Sequence, residues 1–215
     1  MSETAASLMN QMYRYQRYIY DFTRKPYLLG RDRMLEGLNP PDGGTILEIG
    51  CGTGRNLIRA AQLYPQARLY GFDVAEVMLE TASQNIARRH LSGRIRIAQA
   101  DAVKFDPFAL FGMLHFDRIY ISYALSMIPD WQDVMKQALS CLAPGGSLHI
   151  VDFGEQGQLP AWFAARLRTW LAMFDVHPRA DLVPFARSLA QASACAFRAE
   201  HPLRGYAVLA HLKRT

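Results

Sequence analysis

The sequence predicts an α/β fold: a mainly parallel sheet of seven strands with helices on both faces, closed by an antiparallel hairpin. Short β-like runs, "TILEIG", "ARLYGFD", "RIRIAQAD", "FDRIYIS" and "GSLHIVDF", alternate with helix-like segments such as "NLIRAAQLY" and "VMLETASQNIARRH". That alternation is the mark of parallel strands joined by crossover helices. After Phe153 it gives way to helix-like "PAWFAARLRTWLAMF" and "PFARSLAQASA", then to two strand candidates, "AFRAEHPL" and "YAVLAHLKR", separated by little more than Arg204 and Gly205. So short a connection implies a hairpin at the end of the sheet. Ahead of the first strand "LNPPDGG" is a breaker, and the residues before it read as two helices outside the sheet.

The 215 residues, 50% of them hydrophobic, suit a single domain with a sizeable core. It divides into N-terminal helices over 1–38, an alternating core over 39–155, and helices with the closing hairpin over 156–215. No stretch approaches the ~20 apolar residues of a membrane span, and "MSETAASLMNQMYRYQR" lacks the apolar centre of a secretory signal, so a cytoplasmic protein is expected. Cys51, Cys141 and Cys195 are odd in number and far apart, with no CxxC pair and no histidine at ligand spacing. Neither a disulfide framework nor a metal site is expected. The formal charge of +5 and pI near 9.2 are mildly basic, which fits either an ordinary solvated surface or an anionic partner.

The stretch "ILEIGCGTGRNL" runs from apolar residues into Gly50, Gly52 and Gly54. A strand ending in glycines before a helix presents backbone N–H groups and a positive helix terminus at the carboxyl edge of a sheet, where open α/β folds bind ligands. A dinucleotide fingerprint needs a glycine at position 55, where Arg55 stands, and a triphosphate loop needs a Lys and a hydroxyl where Asn56 and Leu57 stand. Neither of those ligands is indicated. The second strand ends in Asp73, 23 residues after Gly50, where a carboxylate can accept from both ribose hydroxyls of a nucleoside at the glycine loop. The alternative is an N-cap for the helix that follows. The third strand ends in Asp101 and Ala102, a pair able to accept from an adenine amino group while letting the ring lie close.

Taken in order and spacing, "LEIGCGTG", "GFDVA", "QADA", "FDRIYISYALSMI" and "LAPGGSLHIVDF" resemble the motifs of class I S-adenosylmethionine-dependent methyltransferases over roughly residues 40 to 155. The resemblance implies a seven-stranded Rossmann-like sheet and S-adenosylmethionine as cofactor. It implies a methionine moiety beside Gly50, Gly52 and Gly54, with Glu48 as the acidic residue before the loop. It puts Asp73 on the ribose, Val74 against the ring and Asp101 with Ala102 at adenine, and it adds Cys51, Asn56 and Ser122 to the cofactor site.

The acceptor is not fixed by such a fold. "MYRYQRYIYDFTRKPYLLGRDR" interleaves tyrosines with basic residues, and Tyr13, Arg17, Tyr20 and Arg24, spaced four, three and four, form one helical stripe. Such a stripe suits an anionic membrane interface and a cage for a methylated ammonium, or it is a lid packing tyrosines on the sheet. The wording "YRYQRYIYDFTRKPYLLGRD", with "GCGTGRNL", "YALSMIPDW" and "VDFG", is similar to the bacterial diacylglyceryl-homoserine N-methyltransferases. That similarity implies threefold methylation of a lipid amine to a betaine lipid, at the inner membrane face. Phosphatidylethanolamine N-methylation and quinone C-methylation are the alternatives within the enzyme class, and a basic nucleic-acid-binding protein is the alternative outside it. Tyr13, Arg24 and Arg179 are substrate-binding candidates. Tyr20 and Tyr123 are catalytic candidates, each with a reading as packing. His149 in the fifth strand reads as a core residue, and Asp152 at its end as an amine contact or a structural carboxylate. The aromatic segment from Pro160 to Phe174 reads as core, or as a border to an acyl-chain entry.

Overall fold

The computed structural model describes residues 28–157, 159–173 and 176–215. Tyr13, Tyr20 and Arg24 lie outside them. Seven strands form one sheet: β1 Thr45–Ile49, β2 Arg68–Asp73, β3 Ile95–Gln99, β4 Phe116–Ser122, β5 Leu142–Phe153, β6 Cys195–Glu200 and β7 Ala207–Arg214. Their order is β3-β2-β1-β4-β5-β7-β6. The first five are parallel, and β7 runs antiparallel between β5 and β6. The sheet is therefore the mixed, hairpin-closed α/β sheet that the sequence predicts.

β1 is central and buried along its whole length, because β2 and β4 flank it. Winding proceeds from β1 to one side through β2 and β3 and to the other through β4 and β5, which puts a crevice at the carboxyl end of β1. Side chains alternate between the two faces with the two-residue period of a strand. Leu47 and Ile49 join one core with Ile119, Ile121, Leu148 and Ile150; Ile46 joins the other with Tyr120 and Val151.

Helices cover both faces: α1 Arg31–Glu36, α2 Arg55–Leu63, α3 Glu76–Arg88, α4 Pro107–Phe111, α5 Trp131–Ser140, α6 Ala161–Ala172 and α7 Leu182–Ala192. α5 and α7 bury Val134, Met135, Leu182 and Ala186 in the first core. α1, α2 and α6 bury Leu35, Leu57, Leu167 and Leu171 in the second. Asp106 starts α4 by accepting from the N–H groups of Phe108 and Ala109 at 2.9 and 3.2 Å.

β5 begins at Leu142, earlier than "GSLHIVDF" suggests. The ladder to β4 pairs Phe116 with Leu142 and resumes at Arg118 with Ser147, so Pro144 and the two glycines after it form a bulge within the strand. The link between β6 and β7 is Pro202–Gly205, in which Leu203 and Arg204 are both left-handed at φ 58°.

Candidate active site

The carboxyl ends of β1 to β4 enclose a cavity of about 720 Å³, within the range of small-molecule and cofactor sites. Glu48, Gly50, Cys51, Gly52 and Asn56 line it, and so do Asp73, Val74, Asp101, Ala102, Ser122 and Tyr123. The strand-end residues singled out by the sequence thus come together. Gly54 is not among the lining residues; a Cβ there would meet the Ala82 Cβ at 3.2 Å, so it lets α3 pack against the loop.

The glycine loop works differently from the expectation of open N–H groups. The Gly50 and Cys51 N–H groups both donate to the Phe72 carbonyl at 3.0 Å, and Gly54 donates to Cys51 at 2.9 Å. Gly52 donates to Asp73 Oδ2 at 2.8 Å. What the glycines supply is room and conformation. Gly50 sits at φ +74°, with the Ala124 Cβ 2.9 Å from where its own Cβ would be. Gly52 has φ +50° and faces open space, a hollow that any side chain would occupy.

Asp73 ties two turns together, Oδ2 accepting from Gly52 and Oδ1 from the Ala75 N–H at 3.0 Å. It does not cap α3, whose N-cap Ala75 has no side-chain bond. Burial pushes its carboxyl above the usual range, against the opposing pull of the Ala75, Gly52 and Val74 hydrogen bonds. Each oxygen keeps acceptor capacity after its one bond.

Glu48 is 1% exposed. Asn56 Nδ2 donates to its Oε1 at 2.8 Å and the Tyr120 hydroxyl to Oε2 at 3.0 Å. Burial raises its pKa to about 8, with the neighbouring Asp73 adding to the rise. Ser122 Oγ is buried at the cavity wall with no hydrogen-bond partner. An orphaned hydroxyl of that kind calls for a bound group. On the opposite side Asp101 accepts from the Val103 N–H at 2.9 Å and remains exposed.

Tyr123 reaches the cavity, but its hydroxyl donates to the Leu29 carbonyl. Burial, then the Asp152 charge, raises its pKa well above the ordinary phenol value. The phenol therefore holds its proton, which argues against a base and for a wall. Arg179 is not among the cavity residues. Its Nε donates to Leu125 O at 3.2 Å and a terminal nitrogen to Ile128 O at 2.8 Å, bracing the loop after β4. Asp152 braces the same loop, accepting from the Ser126 N–H at 3.1 Å. His149 is structural: its Nε2 lies 2.9 Å from Ser147 Oγ, and burial lowers its pKa to about 3.

A charged cavity residue that the sequence did not single out is Arg31. Arg31 on α1 is 8% exposed, and its Nε donates to Leu28 O at 3.0 Å. Burial, then the nearby Arg55, lowers its pKa to about 10. In the chain it is one arginine among many, and only the docking of α1 distinguishes it. Among the described residues no cluster of three metal-ligating side chains occurs, and the three cysteines are free.

Residues 46–146 match the family described as "Methyltransferase domain". This stretch, just under half of the chain, is thus similar to a methyltransferase domain. An O-methyltransferase of Penicillium expansum is 30% identical over 115 residues, 54% of this chain and 40% of its own length. A ubiquinone/menaquinone biosynthesis C-methyltransferase of Ectopseudomonas mendocina is 28% identical over 57% of this chain and 46% of its own. The chain thus spans less than half the length of these two curated relatives. A crystal structure of an S-adenosylmethionine-dependent methyltransferase from Aquifex aeolicus superposes with a TM-score of 0.64 at 14% identity, over 89% of this chain and 93% of that one. The matched stretch contains β2 to β4, β1 apart from Thr45, and every cavity residue named above except Leu28 and Arg31.

Proposed function

We propose that the chain is an S-adenosylmethionine-dependent N-methyltransferase that methylates the amine of diacylglyceryl-homoserine to a trimethylammonium betaine lipid. The observation that carries the cofactor half is the convergence of Asp73, Asp101, Ala102 and Ser122 on the hollow beside Gly52. These residues fit the nucleoside. Asp73 has acceptor capacity for two ribose hydroxyls, Ala102 leaves space for a flat ring, and Ser122 brings an orphaned hydroxyl. Arg31 at the cavity wall, a guanidinium that stays charged, suits the carboxylate of an amino acid.

When bound, the cofactor supplies an electrophilic methyl group on a sulfonium. The chain's own task is then to position the acceptor and exclude water. The homoserine amine has a free carboxylate on the same carbon, which raises it above the ~8 of a peptide α-amine, so it must shed a proton before it attacks. Tyr123, holding its proton against Leu29, keeps the wall in place rather than taking a proton.

The acceptor half rests on the sequence wording that runs from Tyr13 to Gly154 and on the alternation of tyrosine and basic residues before Gly30. Incubation with methyl-labelled cofactor should transfer label to diacylglyceryl-homoserine, and its absence there would remove this acceptor. Quinone C-methylation is the second reading, favoured by the C-methyltransferase of Ectopseudomonas mendocina among the relatives.

A further inference from the structure

α6 has two unlike sides. Its inner side buries Ala164, Leu167 and Leu171, in the core that also holds Tyr123, Leu28 and Met127. Those three line the cavity, so the core that α6 covers is continuous with the cavity wall. Its outer side exposes two large apolar side chains, Trp162 at 67% and, just past the last turn, Met173 at 70%. Trp162, Arg166, Thr169 and Met173 follow one another at four, three and four residues, the spacing of a single helical face.

The charge on this outer side is of one sign. Arg166 lies within this stripe and is exposed, Arg168 is exposed but turned toward the buried side, and no Asp or Glu occurs between Ala161 and Met173. Arg168 stays close to the surface, with one terminal nitrogen 3.4 Å from the Glu155 carbonyl. A tryptophan and a methionine standing in water are costly to hydrate, and an arginine beside them selects an anionic neighbour. A protein partner would need its own acidic, apolar patch, whereas an anionic bilayer supplies both in one surface: phosphate at the headgroups and acyl chain beneath. Tryptophan is suited to that boundary, with its ring at the headgroup level.

We propose that the outer face of α6 is a docking surface for an anionic phospholipid bilayer, with Trp162 and Met173 entering the interface and Arg166 contacting headgroup phosphate. The inference rests on the lipid-acceptor reading and extends it: it turns the side of the molecule whose core reaches Tyr123 and Met127 toward the bilayer that carries the acceptor.

The test is flotation of the full chain with vesicles of phosphatidylcholine alone or mixed with phosphatidylglycerol. The protein should float with the mixed vesicles, less so as salt rises, and hardly at all with phosphatidylcholine. Trp162→Ala and Arg166→Glu should each lower vesicle affinity at least tenfold. Calorimetric binding of S-adenosylhomocysteine, which reports a folded cavity, should not change. Variants that float like the unaltered chain would assign binding to another surface, the tyrosine-rich N-terminal residues included, and overturn the proposal. Failure of the unaltered chain to float would do the same. Methylation of diacylglyceryl-homoserine in detergent micelles separates the two ideas. Label in the lipid without flotation keeps the acceptor and removes the docking surface; α6-dependent flotation without label keeps the surface and removes the acceptor.

Discussion

Asp73 accepts from Gly52 on one side and Ala75 on the other, so the carboxylate holds the shape of two turns while its remaining lone pairs face the cavity. Replacing it with Ala should weaken S-adenosylhomocysteine binding by roughly ten- to a hundredfold, the worth of about 1.5–3 kcal/mol for a hydrogen bond to a charged group. Asp73→Asn, which keeps one acceptor, should fall between. Unchanged affinity in a folded Asp73→Ala variant would take the residue out of the binding site. Glu48 makes a different prediction. Its pKa is raised to about 8 in the fold by burial, while an exposed glutamate titrates near 4.3. The folded state therefore holds a proton that the unfolded chain releases. The stability Glu48 contributes is fully present below about pH 4.3 and declines as pH rises towards 8. Glu48→Gln cannot ionise, so urea unfolding from pH 5.5 to 8.5 should show a shallower loss of stability in the variant. Asp73 and Arg31 face the same group, and both remain in that comparison.

At the scale of elements, the loop from Leu125 to Ile128 is held by the Arg179 guanidinium and by Asp152 at the end of β5. Arg179→Ala removes two hydrogen bonds from a charged donor and should lower unfolding stability by about 1–3 kcal/mol. A residue that bound the acceptor directly would instead raise KM and leave stability alone, so measuring both separates the roles. This arginine also marks where the sequence stops being informative. "VHPRADL" shows a cation between breakers, but its distance in the chain from Leu125 hides the two carbonyls it meets. The strands were legible because five buried runs alternate with helical periodicity, and the hairpin because its connection is short. The start of β5 was not, since Pro144 and two glycines read as a breaker and only pairing with Phe116 carries the strand through them. Asp73 and Asp101 were legible as strand-end carboxylates at nucleoside spacing. Arg31 was hidden among other arginines, and the use of the loop's N–H groups by Phe72 and Asp73 depends on β1 and β2 being neighbours.

At the scale of the whole molecule, the acceptor must be compatible with what the assembled cavity can do. Methylating a ring carbon of a quinol requires removal of a phenolic proton with a reference pKa near 10, and an amine must likewise be neutral before it attacks. Tyr123 keeps its proton against Leu29, and the Glu48 carboxyl is occupied by Asn56 and Tyr120, so neither is placed to take that proton from either acceptor. On the proposed function, a tyrosine-rich N-terminal segment, together with formal charge +5, would add attraction for an anionic surface and cation–π contacts of ~0.5–2 kcal/mol to a partly methylated ammonium. With methyl-labelled cofactor and a mixture of diacylglyceryl-homoserine, phosphatidylethanolamine, demethylated quinone and RNA, label should enter the homoserine lipid first and should proceed to the trimethylated form. The homoserine carboxylate is the feature that separates this lipid from phosphatidylethanolamine. Arg31→Ala, which removes the guanidinium assigned to the cofactor's carboxylate, should weaken S-adenosylhomocysteine binding and leave the preference between the two lipids unchanged. Label confined to phosphatidylethanolamine would sink the betaine-lipid acceptor and keep amine methylation, and label confined to quinone or RNA would sink both, because each of those acceptors asks the cavity for chemistry other than attack by a neutral amine.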